Sequence, residues 1–310
     1  MAYTDRDDLN YLGKLYLIGA NQTPFLNMIG GLNSGKTSSS FNFPISQPWA
    51  LRAADQSSAV MSEATSISTT TEITYTRAQE FNTCQIMKYP YGVSFAKQST
   101  FGEISNVYKI AGENPVVDEL AFQKMAALRQ MAIDIEFAFL QGAYVAQNDA
   151  ATVAKTQGIY AACASNNEVD GSSAALSKAM IKELLLEMAA NGAQFVNPVM
   201  FVNGYQKQAI SDLFGYAPED RLVGGVNVQQ IYTDFAPIGV VYAPYMPTDG
   251  LLIADMSVVA PVFCPVNGQL ILDQEVATTT AKRGGFLYTQ VGLDYGPKEY
   301  HGIISSLKDS

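Results

Sequence analysis

Residues 114–142 read NPVVDELAFQKMAALRQMAIDIEFAFLQG, the strongest helical signal in the chain. Asn114 suits an N-cap, where its side chain accepts a backbone N–H. Pro115 suits the first helical position, where a missing N–H is no loss. The run then contains no Gly and no further Pro until Gly142, a residue suited to ending a helix. About 27 residues at about 1.5 Å each make a rod of roughly 40 Å. Val117, Leu120, Ala121, Leu128, Met131, Ile135 and Phe139 mark an apolar stripe that other apolar residues widen. Such a helix packs on more than one neighbour. The carboxylates Asp118, Glu119, Asp134 and Glu136 could be paired acids for proton transfer; a solvated or intersubunit face is the expectation.

Upstream of the helix, FNTCQIMKYPYGVSFA (81–96) reads as a core-like strand. Before it, residues 50–80 form a polar segment of Ser, Thr and Ala, with Ile67, Ile73 and Tyr75 on one side of a period-2 pattern. One reading is a disordered Ser/Thr loop. The other is a long two-stranded ribbon lying on a neighbouring subunit, because a lone hairpin is marginal in water. Phe41, Phe43 and Ile45 alternate as in a strand. Residues 1–29 form an arm with an apolar-spotted helix YLGKLYLIG, followed by TPFLNMIG, in which Pro24 interrupts any long helix.

Downstream, residues 143–175 are a polar connection, after which helices and strands alternate. KAMIKELLLEMAANG is an amphipathic helix capped by Ser177 and stopped at Asn191-Gly192. PVMFV is a buried strand and YQKQAISDLFG a short helix. VQQIYTDF, IGVVYAPY, LLIAD and SVVAPVF are strands, with a turn at Pro247–Gly250. The tail reads as further sheet that pairs back with earlier strands.

Composition limits the functions. Among 310 residues, 48% are hydrophobic and only 15% charged, which fits one large core or a surface covered by copies of the chain itself. A net charge of −10 argues against broad electrostatic binding to nucleic acid. Cys84, Cys163 and Cys264 are far apart and form no CxxC pair, so free thiols are expected. His301 stands alone, which argues against a zinc site and, without a G-x-S-x-G elbow, against a Ser-His-Asp triad; a surface position is expected for it. The polar, acidic start MAYTDRDDLNYLGK is no secretory signal, so the sequon at Asn21 carries no glycan meaning. No apolar run approaches the roughly 20 residues that span a membrane.

One motif competes with this picture. GGLNSGKT (30–37) fits the phosphate-binding pattern G-x-x-x-x-G-K-[ST], and LLIAD (251–255) fits its apolar-run-plus-Asp partner. A working phosphate loop needs a helix starting at its Lys-Thr. Lys36 and Thr37 are followed instead by three serines, alternating Phe and two prolines. The stretch is expected to be a glycine-rich hinge between arm and first strand, with Lys36 in a surface or intersubunit ion pair.

The order arm, ribbon, long helix, compact α/β section and returning strands resembles the major capsid proteins of tailed bacteriophages with the Hong Kong 97-type fold, over nearly the whole chain. FNTCQIMKYPYGVSFA is similar to that family's return strand, often with an Asn-x-x-Gln-Ile core, here Asn82, Gln85 and Ile86. The resemblance implies an α+β fold. Its parts would be an N-terminal arm and first strand (1–45), an extended hairpin loop (46–85), a peripheral domain (86–175 and 264–310) with spine helix 115–142, and an axial domain (176–263). It implies a structural protein, without catalysis or cofactor, that assembles into pentamers and hexamers. These would close an icosahedral head around double-stranded DNA held without specific binding. Implied partners are copies of itself, a portal, and separate scaffolding or decoration proteins, in a virion assembled in the host bacterial cytoplasm, with no membrane. Intersubunit contacts are expected at Met61, Glu63, Ile67, Ile73, Tyr75 and Arg77 on the loop, and at Asp134 and Glu136 on the spine.

Two departures from relatives are expected. The arm starts almost at Met1, without a long charged scaffolding segment. Residues 50–87 contain no lysine, so loop-borne covalent cross-links are not expected. The rival readings are a bacterial nanocompartment shell of the same fold, a nucleotide hydrolase using Lys36, Thr37 and Asp255, and a head-decoration or tail-sheath component.

Overall fold

The computed structural model describes residues 22–46, 49–51, 54, 60–67, 74–95, 119–164, 166–214, 220–223, 226–277 and 280–309. In chain order, α1 (Pro24–Met28) precedes β1 (Lys36–Thr37) and β2 (Asn42–Ser46). A single turn, α2 (Glu63–Ser66), precedes β3 (Glu80–Thr83), β4 (Gln85–Ser94) and the long α3 (Glu119–Gln141). Then come α4 (Ile159–Cys163), β5 (Glu168–Asp170), α5 (Lys178–Ala190), β6 (Pro198–Val202) and α6 (Gly204–Phe214). Strands β7 (Asp220–Val223), β8 (Val226–Tyr232), β9 (Pro237–Tyr242), β10 (Leu251–Asp255) and β11 (Ala260–Phe263) follow. The chain closes with β12 (Ile271–Val276), β13 (Lys282–Asp294) and β14 (Gly302–Ser305).

The strands make two main sheets. A seven-stranded sheet has the order β5-β14-β10-β6-β9-β8-β7. Its central strands β6 and β10 are buried along their whole length, as their unbroken apolar runs require. Helix α5 covers this sheet with Ile181, Leu184, Leu185 and Met188, one face of a 3.6-residue period. Ser177 caps it, its Oγ accepting the Met180 N–H, and Gly192 in the left-handed region (φ +92°) follows its end. The second sheet is built around β13, which pairs with β11 and β12 on one edge and with ten residues of β4 on the other. Helix α3 lies across β4 and β13.

Helix α3 behaves differently in its two halves. Met131, Ile135, Phe139 and Leu140 are fully buried, whereas Ala121, Met125 and Leu128 are exposed. Apart from the buried Leu120, the expected stripe therefore holds over the C-terminal half, where α1 and α4 also pack. A glycine is needed at position 142 because a Cβ there would lie 2.4 Å from the Ala138 carbonyl and 2.5 Å from that of Thr156. The proposed cap at Asn114 and Pro115, with Val117 and Asp118, lies outside the described residues, as does the arm before residue 22.

Among the described residues none between 47 and 79 is in a strand, and the neighbouring ladder is β2 against β3. Ser62 caps a helical turn, accepting the Thr65 N–H. β5 and β14 join the seven-stranded sheet, while β11 joins β13. The buried run Gly302–Ile304 finds its ladder partner in β10. One expectation is corrected: His301 is in the interior, not on the surface.

Candidate functional site

The return-strand motif is a structural knot. Asn82 is fully buried, and its Nδ2 donates to the carbonyls of Leu293 (2.7 Å) and Gln157 (3.1 Å). Its Oδ1 accepts the N–H groups of Gln157 (2.8 Å) and Thr83 (2.9 Å). One amide thus joins β3, the end of β13 and the loop before α4. A buried amide with all four partners met is costly to replace, because each partner would be left unsatisfied.

Next to it, Cys84 and Cys264 lie with sulfurs 3.4 Å apart. Both are free, buried thiols; Cys84 stands just before β4 and Cys264 just after β11, the strands that pair with the two edges of β13. The thiols reach toward each other beside Gly292, where a Cβ would meet the Phe43 ring at 2.8 Å. The hydrogen bond to Cys264, with burial, pushes the Cys84 thiol up.

Two buried ionisable side chains, Glu136 and His301, have partners within the chain. Glu136 is wholly enclosed; its oxygens accept the N–H groups of Phe25 (2.9 Å) and Leu26 (2.6 Å). Burial pushes its carboxyl up to about 7, against the pull of those two amides. Glu136 is therefore an internal tether and not part of an intersubunit face. Asp134, half-buried, accepts from Tyr89 Oη (2.5 Å) and Gln130 Nε2 (2.9 Å). Burial, together with the Asp134 carboxylate, holds the Tyr89 phenol above its ordinary value. His301 donates from Nε2 to the Tyr295 carbonyl (2.6 Å) and accepts the Asp255 N–H at Nδ1 (3.1 Å), partners that fix its neutral tautomer. Burial lowers its pKa to about 4.

The phosphate-loop motif is absorbed in the same way. Residues 29–32 form a turn, 33–35 are a bend and irregular backbone, and Thr37 lies in β1, parallel to β11, rather than in a helix. Lys36 pairs with Asp294 at 2.5 Å within the chain. Asp255 accepts the N–H groups of Val196, Asn197 and Ser257 at 2.9–3.1 Å. Among the described residues no group of three or more His, Cys, Asp or Glu side chains is placed to hold a metal, and no described helix is long and apolar enough to cross a membrane.

Several large apolar side chains face outward. Trp49, Leu51, Val60, Met61, Ile67 and Tyr75 are all exposed, Ile67 to 86%. Glu63 and Arg77 are exposed beside them, and Ile73 lies outside the described residues. On α3, Met125 and Leu128 are exposed on one face and Phe137 on the opposite one. Another group lies at one end of the seven-stranded sheet, where Tyr232 and Val196 accompany Phe195 and Phe235, whose ring centroids are 5.6 Å apart. On the outer face of β4 and β13 runs an open groove of about 550 Å³, lined in part by Pro90, Gly92, Phe286, Lys88 and Lys282. Sequence reading missed Glu136 as a tether and the burial of His301. The one available signal was the isolation of a charged residue in an apolar stretch (IEFAFL, or YHGII).

Comparison with known proteins agrees with this architecture. The sequence profile of the family described as SU10 major capsid protein matches residues 2–308. No curated protein sequence matches the chain significantly. Among solved structures, the cyanophage A-1(L) capsid superposes with a TM-score of 0.63 at 13% identity, covering 99% of both chains. The holo-SrpI encapsulin complex from Synechococcus elongatus PCC 7942 gives 0.59 at 9% identity, covering 95% of this chain and 92% of that one. Mycobacterium phage Bobi gives 0.54 at 11% identity, covering 96% of both. The fold is the Hong Kong 97 type, and the α+β class stands.

Proposed function

The chain belongs to the SU10 major capsid protein family, and from that premise we propose that its copies ring into pentamers and hexamers that close an icosahedral head around double-stranded DNA. Its role is structural, as a capsid component of the virion. The observation that carries the finer reading is the exposed apolar run from Trp49 to Tyr75. Left in water these side chains gain nothing; covered by a neighbour, each stabilises the contact by about 1.5–3 kcal/mol.

Met61, Glu63, Ile67, Tyr75 and Arg77 of one copy, with Ile73, then lie on the next copy around the ring, a heterologous contact that closes by rotation. Asp134 lies on the spine beneath that contact. The groove between β4 and β13, floored by Gly92 and Gly284, admits a backbone closely, and Lys88 and Lys282 at its rim complement Glu63. The acidic balance of the chain, −10 overall, keeps packed DNA from adhering to the wall. Assembly takes place in the host bacterial cytoplasm, with portal, scaffolding and decoration supplied as separate proteins and with no catalytic step. Without a lysine in residues 50–87 the shell is not cross-linked through the loop; boiled, reduced particles should run as a single subunit band, and a covalent ladder would overturn this.

The test is purification of particles after expression with the partner proteins of the head, followed by negative-stain microscopy and nucleic-acid analysis. Hollow or filled spheres containing double-stranded DNA are expected. Spheres enclosing one cargo protein and no nucleic acid would make the chain a nanocompartment shell, and absence of closed particles would overturn the reading.

A further inference from the structure

Cys84 and Cys264 take no part in the capsid reading, yet their sulfurs face one another at 3.4 Å inside the protein. Each backbone is fixed. The Cys84 N–H donates to the Phe41 carbonyl at 2.8 Å, and the Cys264 N–H to that of Gln290 at 3.0 Å. Phe43 and Val262 are buried with the two cysteines, and Phe41 and Ile45 pack against them. Cys84 is fully buried, whereas Cys264 keeps 8% exposure. The third cysteine, Cys163, belongs to a different core cluster.

Losing both thiol protons would strand no buried acceptor. Cys264 Sγ lies 3.3 Å from the Ser40 carbonyl, which also accepts Ser38 Oγ at 2.7 Å. Cys84 Sγ lies 3.7 Å from the Val262 carbonyl, and Val262 stands in register with Lys36 of β1 and Gly292 of β13. A disulfide holds its sulfurs at about 2.05 Å, so the two must close by roughly 1.4 Å from where they stand. The thiols are not equivalent. The hydrogen bond from Cys84 holds the Cys264 thiol below its ordinary value, against burial, while the bond to Cys264 and burial push Cys84 up. Cys264 is therefore the thiol that ionises first, and the one that solvent reaches.

We propose that Cys84 and Cys264 form an oxidation site within the subunit, closing to a disulfide when the chain meets a peroxide. The Cys264 thiolate attacks one peroxide oxygen, the O–O bond breaks, and the leaving hydroxide takes up the proton that Cys264 released. Cys264 is then a sulfenic acid. Cys84 Sγ attacks that sulfur as its own proton departs; the S–O bond breaks and the oxygen leaves as water. Two thiols and one peroxide thus give one disulfide and two waters, with sulfur oxidised and peroxide oxygen reduced. The bond ties the junction of β3 and β4 to the residue after β11, 180 positions away in the chain. It thereby anchors the foot of the exposed loop that leaves at β2 and returns at β3. The use of such an anchor to a shell that has left a reducing cytoplasm rests on the capsid reading; the bond itself does not.

Thiol titration of the purified full chain, read after denaturation, tests this. Reduced protein should give all three thiols; protein first exposed to a modest excess of hydrogen peroxide should give only that of Cys163. Peptide mass mapping without reduction should place the bond between Cys84 and Cys264. The oxidised chain should run as a single subunit on a non-reducing gel and melt about 5 °C above the reduced one. In Cys84→Ser, peroxide should leave Cys264 as a sulfenic acid that a cyclic 1,3-dione traps. In Cys264→Ser, Cys84 should stay a thiol. Three thiols persisting in the natural chain, a bond that involves Cys163, a covalent dimer, or oxidation of Cys264 without a bond to Cys84 would each overturn the proposal. An unchanged melting temperature would overturn the anchoring role. The natural chain decides the outcome if a serine variant fails to fold. Particle closure is a separate readout, so failure of the oxidation site and failure of the capsid reading are distinguishable.

Discussion

Two short apolar stretches of this chain have opposite fates. Leu251–Asp255 forms β10, buried at every residue between β14 and β6. Val60–Ile67 carries Val60, Met61 and Ile67, all exposed, around one capped helical turn. Apolar content does not separate them; the availability of a partner within the chain does. β10 has a ladder on both edges and α5 on its sheet. Among the described residues the loop has neither, and on the proposed function its burial comes from another copy. The first stretch then stabilises the subunit and the second the association.

Substitutions can break or sharpen that contrast. Phe201→Ala, in the sheet, should cost about 3–5 kcal/mol in subunit stability, read by denaturant unfolding of unassembled protein. A cost near zero would mean that the sheet is not the subunit's core. His301 gives the next effect. Its folded pKa of about 4 is below the ordinary 6.5, so the stability it contributes is present above pH 6.5 and is lost as pH falls toward 4, by up to about 3 kcal/mol. The difference between the natural chain and His301→Gln, measured by urea unfolding at pH 7 and 4.5, isolates the histidine and should shrink at the lower pH.

Ile67→Ser should leave unfolding unchanged within about 0.5 kcal/mol, yet weaken association by about 1.5–3 kcal/mol per contact. Sedimentation of assembling protein checks it, and a large loss of subunit stability would erase the contrast. Lys36→Ala should have the smallest effect, under about 1 kcal/mol, because the lysine head stays largely in water. Calorimetry with ATP or GTP should show no binding before or after the change.

Much of the fold could be read from short-range patterns. The helix 178–190 with its cap and stop, the buried strand at 198–202 and the end of α3 at Gly142 follow from periodicity and from residues whose conformational preferences are local. The rejection of the phosphate loop was equally local, since two prolines and alternating Phe do not start a helix. The apolar loop was legible as an unusual segment, and its described residues are not in strands. Period-2 spacing of Ile67 and Tyr75 describes a strand only where another strand is there to pair with it.

The sequence by itself determined most helices and strands, the absence of a phosphate-binding setting, and an apolar surplus that one subunit does not absorb. Tertiary structure alone decided where the isolated polar residues went. Asn82 meets Leu293 and Gln157, Glu136 meets the amides of α1, and His301 meets Asp255 and Tyr295, most of these across more than 40 residues of chain. It also decided that Cys84 and Cys264, 180 residues apart in the chain, bring their sulfurs within 3.4 Å of each other. Periodicity reports which face of an element is apolar. It does not report which distant backbone group will satisfy a buried polar side chain, since that depends on how the sheets are laid against one another.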